Sequence, residues 1–162
     1  MLLKRSSATR PRLFGKNLLK VYTDGASRGN PGLSGAGILI TDQEGNVIKQ
    51  HSEFLGVMTN NSAEYSALLK SLDVIGSIDK ELVNGRTEFY SDSELMVRQI
   101  NGRYKVKDRG ISEFVRAFRD KVKSMKLEFV INHIPRSANS AADKLANEAI
   151  DKREVQQTME FE

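Results

Sequence analysis

The sequence predicts an α/β domain: a mixed five-stranded sheet, begun as an antiparallel meander and completed by parallel strands, with helices on both faces. Three alternating segments joined by short turns fill residues 18–57, the pattern of consecutive antiparallel strands. Apolar spacing then changes from every second residue to every third or fourth from about Thr59, which marks a helix. Beyond residue 86 strand-like and helical segments alternate, as they do where helices cross over between parallel strands. The predicted order is β-β-β-α-β-α-α-β-α.

Each element has its own signal. Order begins at Leu18, where LLKVYTD alternates as a strand does, until GASRGNPGLSG interrupts it with glycine and proline. GAGILITD is the second strand, EGN a turn, and NVIKQHSEFLGV the third strand. In TNNSAEYSALLKSLDVIGSI, Leu68, Leu72 and Ile75 form one helical stripe. RTEFYSD is a strand, SELMVRQING a short helix, and ISEFVRAFRDKVKSMK a longer helix with Phe114, Val115, Phe118 and Val122 on its apolar side. KLEFVINHIP is the last strand and NSAADKLANEAIDKR the last helix. Residues 1–17 are expected to form a flexible basic arm, 18–153 one folded domain, and 154–162 an acidic tail. The arm is rich in Arg and Ser and poor in acids, so it weakly resembles a transit peptide; otherwise a cytoplasmic location is expected.

Composition narrows the chemistry. There are no cysteines, which excludes disulfides, thiolate zinc sites and thiol nucleophiles. With only His51 and His133, a histidine-rich metal centre is excluded too, so any metal must be a hard cation held by oxygen. No apolar run reaches the roughly 20 residues needed to span a bilayer. A net charge of +4 favours polyanions, and its distribution says more. Arg98, Arg103, Lys105, Lys107 and Arg109 cluster with Asp108 as the only opposing acid. His51, in the middle of the third strand, is expected to be structural.

Four acids occupy places where acids need a reason. Asp is depleted in strands, yet Asp24 is expected to end the first strand, pointing the same way as Lys20 and Tyr22. Asp92 is expected to end the fourth strand. Glu64 shares an i, i+4, i+8 line with Leu68 and Leu72, so its base faces the sheet, and Asp143 aligns with Ala146 and Ile150 in the first turn of the last helix. Each has an ordinary explanation: Asp24-Gly25 is a turn pair, Asp92 a helix cap, and Asn61-x-x-Glu64 and Ser140-x-x-Asp143 have capping-box spacing. Together they sit where strands end and helices begin, where ligands collect in open sheets. Four such carboxylates in one place repel one another unless divalent metal holds them.

These residues carry a resemblance. YTDGASRGNPGLSGAG, TNNSAEYSALL, YSDSELMVRQINGRYKVK and HIPRSANSAADKLANEA, in this order, resemble the four signature segments of the type 1 ribonuclease H family, and the likeness extends from about Leu18 to Lys152. It implies a ribonuclease H-like fold and a monomeric endoribonuclease that cuts the RNA strand of RNA–DNA hybrids, leaving 5′-phosphate and 3′-hydroxyl ends. It also implies two Mg²⁺ ions, replaceable by Mn²⁺. Asp24 would bridge both ions, Asp143 complete the one activating water, and Glu64 and Asp92 hold the one at the leaving oxygen. His133, ten residues before Asp143 and expected on the loop leaving the last strand, would shuttle protons, as histidine's titration near neutrality allows. Arg136 in the same loop offers a phosphate contact instead.

Recognition residues follow from the same likeness. Asn30 and Thr59 match a phosphate pocket for the DNA strand, and Asn60 and Asn61 match residues in the minor groove, although either asparagine also suits a helix cap. Gly25 and its neighbouring glycines would let backbone approach the duplex. QINGRYKVKDRGIS is too short for the long basic insertion of some relatives, which leaves Arg98, Arg103, Lys105 and Lys107 as phosphate contacts. Three alternatives share the fold: a nuclease for double-stranded RNA or RNA–DNA junctions, a weakly catalytic hybrid-binding module, and a transposase-like nuclease. The small size of the chain disfavours the last.

Overall fold

The computed structural model describes residues 17–161. Strand β1 (Leu19–Gly29) pairs antiparallel with β2 (Gly32–Thr41), which pairs antiparallel with β3 (Val47–Met58). Helix α1 (Asn60–Gly76) leads through a short 3-10 turn to β4 (Arg86–Ser91), which lies parallel to β1. Helices α2 (Glu94–Ile100) and α3 (Arg109–Ser124) precede β5 (Glu128–His133), which is parallel to β4. Helix α4 (Ser140–Glu160) ends the described chain. The sheet order is β3-β2-β1-β4-β5. Order and orientation agree with the sequence reading.

The two faces are packed by different chemistry. On one, the predicted stripe Leu68, Leu72 and Ile75 of α1 meets Val21, Ile38, Ile40 and Phe89 of the sheet, with Phe118 and Val122 of α3 behind. Each large side chain fully buried there contributes roughly 1.5–3 kcal/mol. On the other face α4 packs on β2, and contact there is nearly backbone to backbone. A Cβ on Gly37 would stand 1.9 Å from the Ala142 carbonyl oxygen, so only glycine seats the helix.

That packing corrects the reading of GASRGNPGLSG as an interruption. The strands run through it, pairing as far as Gly29↔Gly32 and leaving only Asn30-Pro31 outside. The glycines there leave room for helices as well as for a turn. A second difference lies at the end of the chain. Residues 154–160, expected as a tail, continue α4, because EVQQTME lacks Gly and Pro and is rich in straight-chain helix formers. Arg28 near the end of β1 fastens this extension, reaching Asp151 at 2.5 Å and Glu154 at 2.9 Å. The expected arm falls in residues 1–16, outside those described, apart from Asn17, whose amide binds the Glu81 carbonyl. Among the described residues no helix is long and apolar enough to cross a membrane.

Candidate metal centre and nucleic-acid interface

Strands β1 and β4 stop pairing at Tyr22↔Tyr90. Beyond that point they part, and their next residues on the same face, by the two-residue strand period, are Asp24 and Asp92. Asp24 therefore does not end its strand, as the sequence suggested; it faces Gly37 of β2 in mid-strand, beside the split. The rings of Tyr22 and Tyr90 stack below, with centroids 5.0 Å apart, and put an aromatic floor under the acids. Asp24 is 5% exposed, and the Asp92 side chain 9%.

Glu64 arrives from α1, at the fifth residue of the helix and so just past the first turn in which the sequence placed it. Its approach depends on Gly25, where a Cβ would lie 2.2 Å from the Ala63 backbone. Gly25 also donates its N–H to Glu64 Oε2 at 3.3 Å. The close approach that Gly25 permits here is with α1. Asp24, Glu64 and Asp92 each offer a carboxylate oxygen, and these oxygens lie within 4.8 Å of one another. Asp143, from α4, is outside this tight group but next to Asp24, on which its charge and hydrogen bonding act.

Ordinary capping accounts for none of these positions. Thr59 caps α1 by accepting from Ser62, and Ser93 caps α2 by accepting from Met96. Helix α4 has Asn139 at its cap position, with no side-chain capping bond. Asp92 is therefore free of the capping role its sequence suggested.

The electrostatics follow from this crowding. Burial, then the charge of Asp92, then hydrogen bonding and charge from Asp143 push Asp24 up to about 7, while a hydrogen bond with Glu64 pulls the other way. Burial first, then the charges of Asp24 and Asp92, hold Glu64 well above the usual carboxylate range. The cation seen at the group, Arg136 at 3.8 Å from Asp92, is 92% exposed and so a weak counterweight. Buried oxygen donors with uncompensated negative charge fit a hard divalent cation.

The cluster opens into a cleft of about 400 Å³ lined by Asn60, Asn61, Glu64, Asp92, Ser93, Leu95 and Arg136. Asn30 stands beside it, its side-chain oxygen accepting the Asn60 N–H at 3.0 Å. His133 lies on the strand itself, one step short of the loop expected for it. It is the last residue of β5, level with Ser91, and it lines an adjoining hollow with Glu94, Arg98, Asn101 and Arg103. Strand alternation explains this: His133 shares a face with Ile131 of the core, whereas Asp92 shares one with Tyr90. Arg98 is paired with Glu94 at 2.7 Å and lies over the Tyr104 ring. Arg103, Lys105 and Lys107 are exposed. His51 binds Glu53 at 3.0 Å, on β3.

Four residues at the site had escaped the sequence reading. Ser93 and Leu95 line the cleft, Leu95 being 46% exposed. Asn147 donates to Asp143, and its i+4 spacing was a usable signal. Arg28 touches Asn147, and nothing in its local sequence announced that.

A sheet of this order, with acids gathered from β1, β4, α1 and α4, defines a ribonuclease H-like domain. The profile of the reverse transcriptase-like family matches residues 22–149. The structure is similar to that of LC11-RNase H1, isolated from compost by a metagenomic approach, with 43% identity, a TM-score of 0.81, and coverage of 85% of this chain and 98% of that one. The same enzyme in complex with an RNA/DNA hybrid matches at 42% identity and a TM-score of 0.78, over 83% of this chain and 98% of that one. Ribonuclease HI of Halobacterium salinarum is 33% identical over 135 residues, which cover 80% of this chain and 63% of that protein. The chain thus spans just under two thirds of that relative's length. It belongs to the type 1 ribonuclease H family, whose members depend on divalent metal ions.

Proposed function

We propose that this protein is an endoribonuclease that hydrolyses the RNA strand of RNA–DNA hybrids with two Mg²⁺ ions, leaving 5′-phosphate and 3′-hydroxyl ends. One observation carries the reading: Asp24, Glu64 and Asp92 converge within 4.8 Å at the head of an open cleft, with Asp143 beside Asp24. The similar LC11-RNase H1, solved with an RNA/DNA hybrid, supports the substrate.

In this reading Asp24, Glu64 and Asp92 would hold the ions, with Asp143 beside Asp24 completing the set. Such ions, when bound, lower the pKa of water and offset charge on a departing oxygen. The protein's own contribution is position. The aromatic floor and the α1 backbone fix the carboxylates before substrate arrives, so little reorganisation accompanies the reaction. Asn60 and Asn61, whose amides both donate and accept, read the minor groove and the 2′-hydroxyl that marks RNA. Asn30 and Thr59, joined through α1, seat a DNA-strand phosphate. Arg98, Arg103, Lys105, Lys107 and Arg136 hold further phosphates along the rim. His133, in the hollow next to the cleft, carries protons between solvent and the reacting phosphodiester.

The test is a cleavage panel with Mg²⁺. Hybrid RNA is expected to be cut to products with 5′-phosphate ends, duplex DNA to stay intact, and EDTA to stop the reaction. Cleavage of hybrid at the same rate in EDTA would sink the proposal. Preference for duplex RNA over hybrid would reassign the substrate.

A further inference from the structure

Among the four acids, Asp143 alone lies outside the tight group, and it projects from a helix whose first turn has no side-chain cap. Asn147, one turn later on α4, donates its side-chain amide to Asp143 Oδ1 at 3.2 Å and to the Asp143 carbonyl at 3.0 Å. An asparagine amide turned by 180° would present oxygen to a carboxylate and repel it. Arg28 prevents that turn. Its Nη2 reaches Asn147 Oδ1 at 3.4 Å and the Asn147 carbonyl at 3.5 Å. A guanidinium only donates, so it accepts only the oxygen end of the amide on its side. Asp151 and Glu154 in turn hold Arg28 in place.

We infer that Asn147 is a positioning residue for Asp143, and that Arg28 acts on Asp143 through Asn147. The inference rests on reading Asp143 as part of the metal centre. It also gives the α4 extension a purpose, since residue 154 completes the grip on Arg28. The order of action is Glu154 and Asp151, Arg28, Asn147, Asp143. Partners that orient a metal-binding group are typically worth 10–100-fold in affinity.

The full chain is titrated calorimetrically with Mn²⁺ in the absence of nucleic acid, as wild type, Asn147→Ala, Arg28→Ala, the double variant and Asp143→Asn. Melting temperatures in EDTA confirm that each is folded. Asn147→Ala is expected to weaken Mn²⁺ binding about tenfold, and Arg28→Ala about threefold, as suits a partly exposed contact. The double variant should bind like Asn147→Ala alone. Cleavage by Asn147→Ala should recover at high Mn²⁺, which a merely loosened fold would not do. Wild-type affinity in Asn147→Ala, with Asp143→Asn weakened, overturns the inference and leaves the metal centre standing. Additive losses in the double variant overturn the route through Asn147. Unchanged binding in Asp143→Asn overturns both the inference and the placement of Asp143 in the centre.

Discussion

The floor of the cleft and its rim are built in opposite ways. Asp24 is 5% exposed and held by strand pairing on both sides of its position. Arg136, by contrast, is 92% exposed on a short turn, and Arg103, Lys105 and Lys107 lie on a loop. The floor must place oxygens to within fractions of an ångström, and only backbone geometry supplies that precision. The rim must supply positive potential, which acts over roughly 8–10 Å at ordinary ionic strength. Long side chains suffice for that. Geometry is costly to disturb, and charge is not.

The largest expected effects therefore lie on the floor. Asp24→Asn should slow hybrid cleavage on the order of 10³-fold, about 4 kcal/mol of transition-state stabilisation, while hybrid binding in EDTA changes little. Single-turnover cleavage and a binding titration separate the two. A comparable loss of binding would show that floor and rim are not distinct. Gly25→Val attacks the same floor through its backbone. Its Cβ would lie 2.2 Å from Ala63, so α1 and Glu64 must move. Urea denaturation should show a loss of roughly 3 kcal/mol or more, and wild-type stability would mean that α1 is not seated where described.

The same contrast explains what the sequence disclosed. The acids were legible because a strand-borne Asp and an inward-facing Glu violate local preference, and only a site explains four such violations together. The rim was legible as charge, without geometry. The length of the β1–β2 hairpin was not, since Gly25 and Gly35 look like turn residues until the helices they admit are in place. Asp92 likewise passed for a cap until Ser93 was seen to perform that task. The hollow that His133 faces was not legible either, because the point where a strand ends decides which face its last residue takes. The Arg28–Asn147 contact joins residues 119 positions apart, a distance over which no local pattern reaches.

Crowding on the floor also predicts a pH dependence. Burial and neighbouring charges raise Asp24 from 3.8 to about 7 in the folded protein. The folded state thus disfavours the ionised carboxyl. Without metal, this group favours folding most below its unfolded value, and the benefit is lost as pH rises from about 4 through 7. Asp24→Asn removes the effect. In EDTA the variant should melt above wild type at pH 8, with the difference shrinking toward pH 4, and Mg²⁺ should stabilise wild type more at pH 8 than at pH 5. A variant that melts below wild type at pH 8 would mean that the acids are not electrostatically strained.

The smallest effects belong to the rim, and there they sharpen the contrast by dividing it. Arg98 and Arg103 face one hollow, but Arg98 is bound to Glu94 at 2.7 Å and lies 5.2 Å from the centre of the Tyr104 ring. Its charge is already partly spoken for. Arg103→Ala should lower the slope of log affinity against log salt by about 1, as loss of one phosphate contact does, with cleavage at saturating hybrid unchanged. Arg98→Ala should lower it by less, because Glu94 is unmasked as the arginine leaves. If the two slopes fall equally, the Arg98–Glu94 pair opens when nucleic acid binds, and the rim's charges, unlike the floor's, are arranged by the substrate they meet.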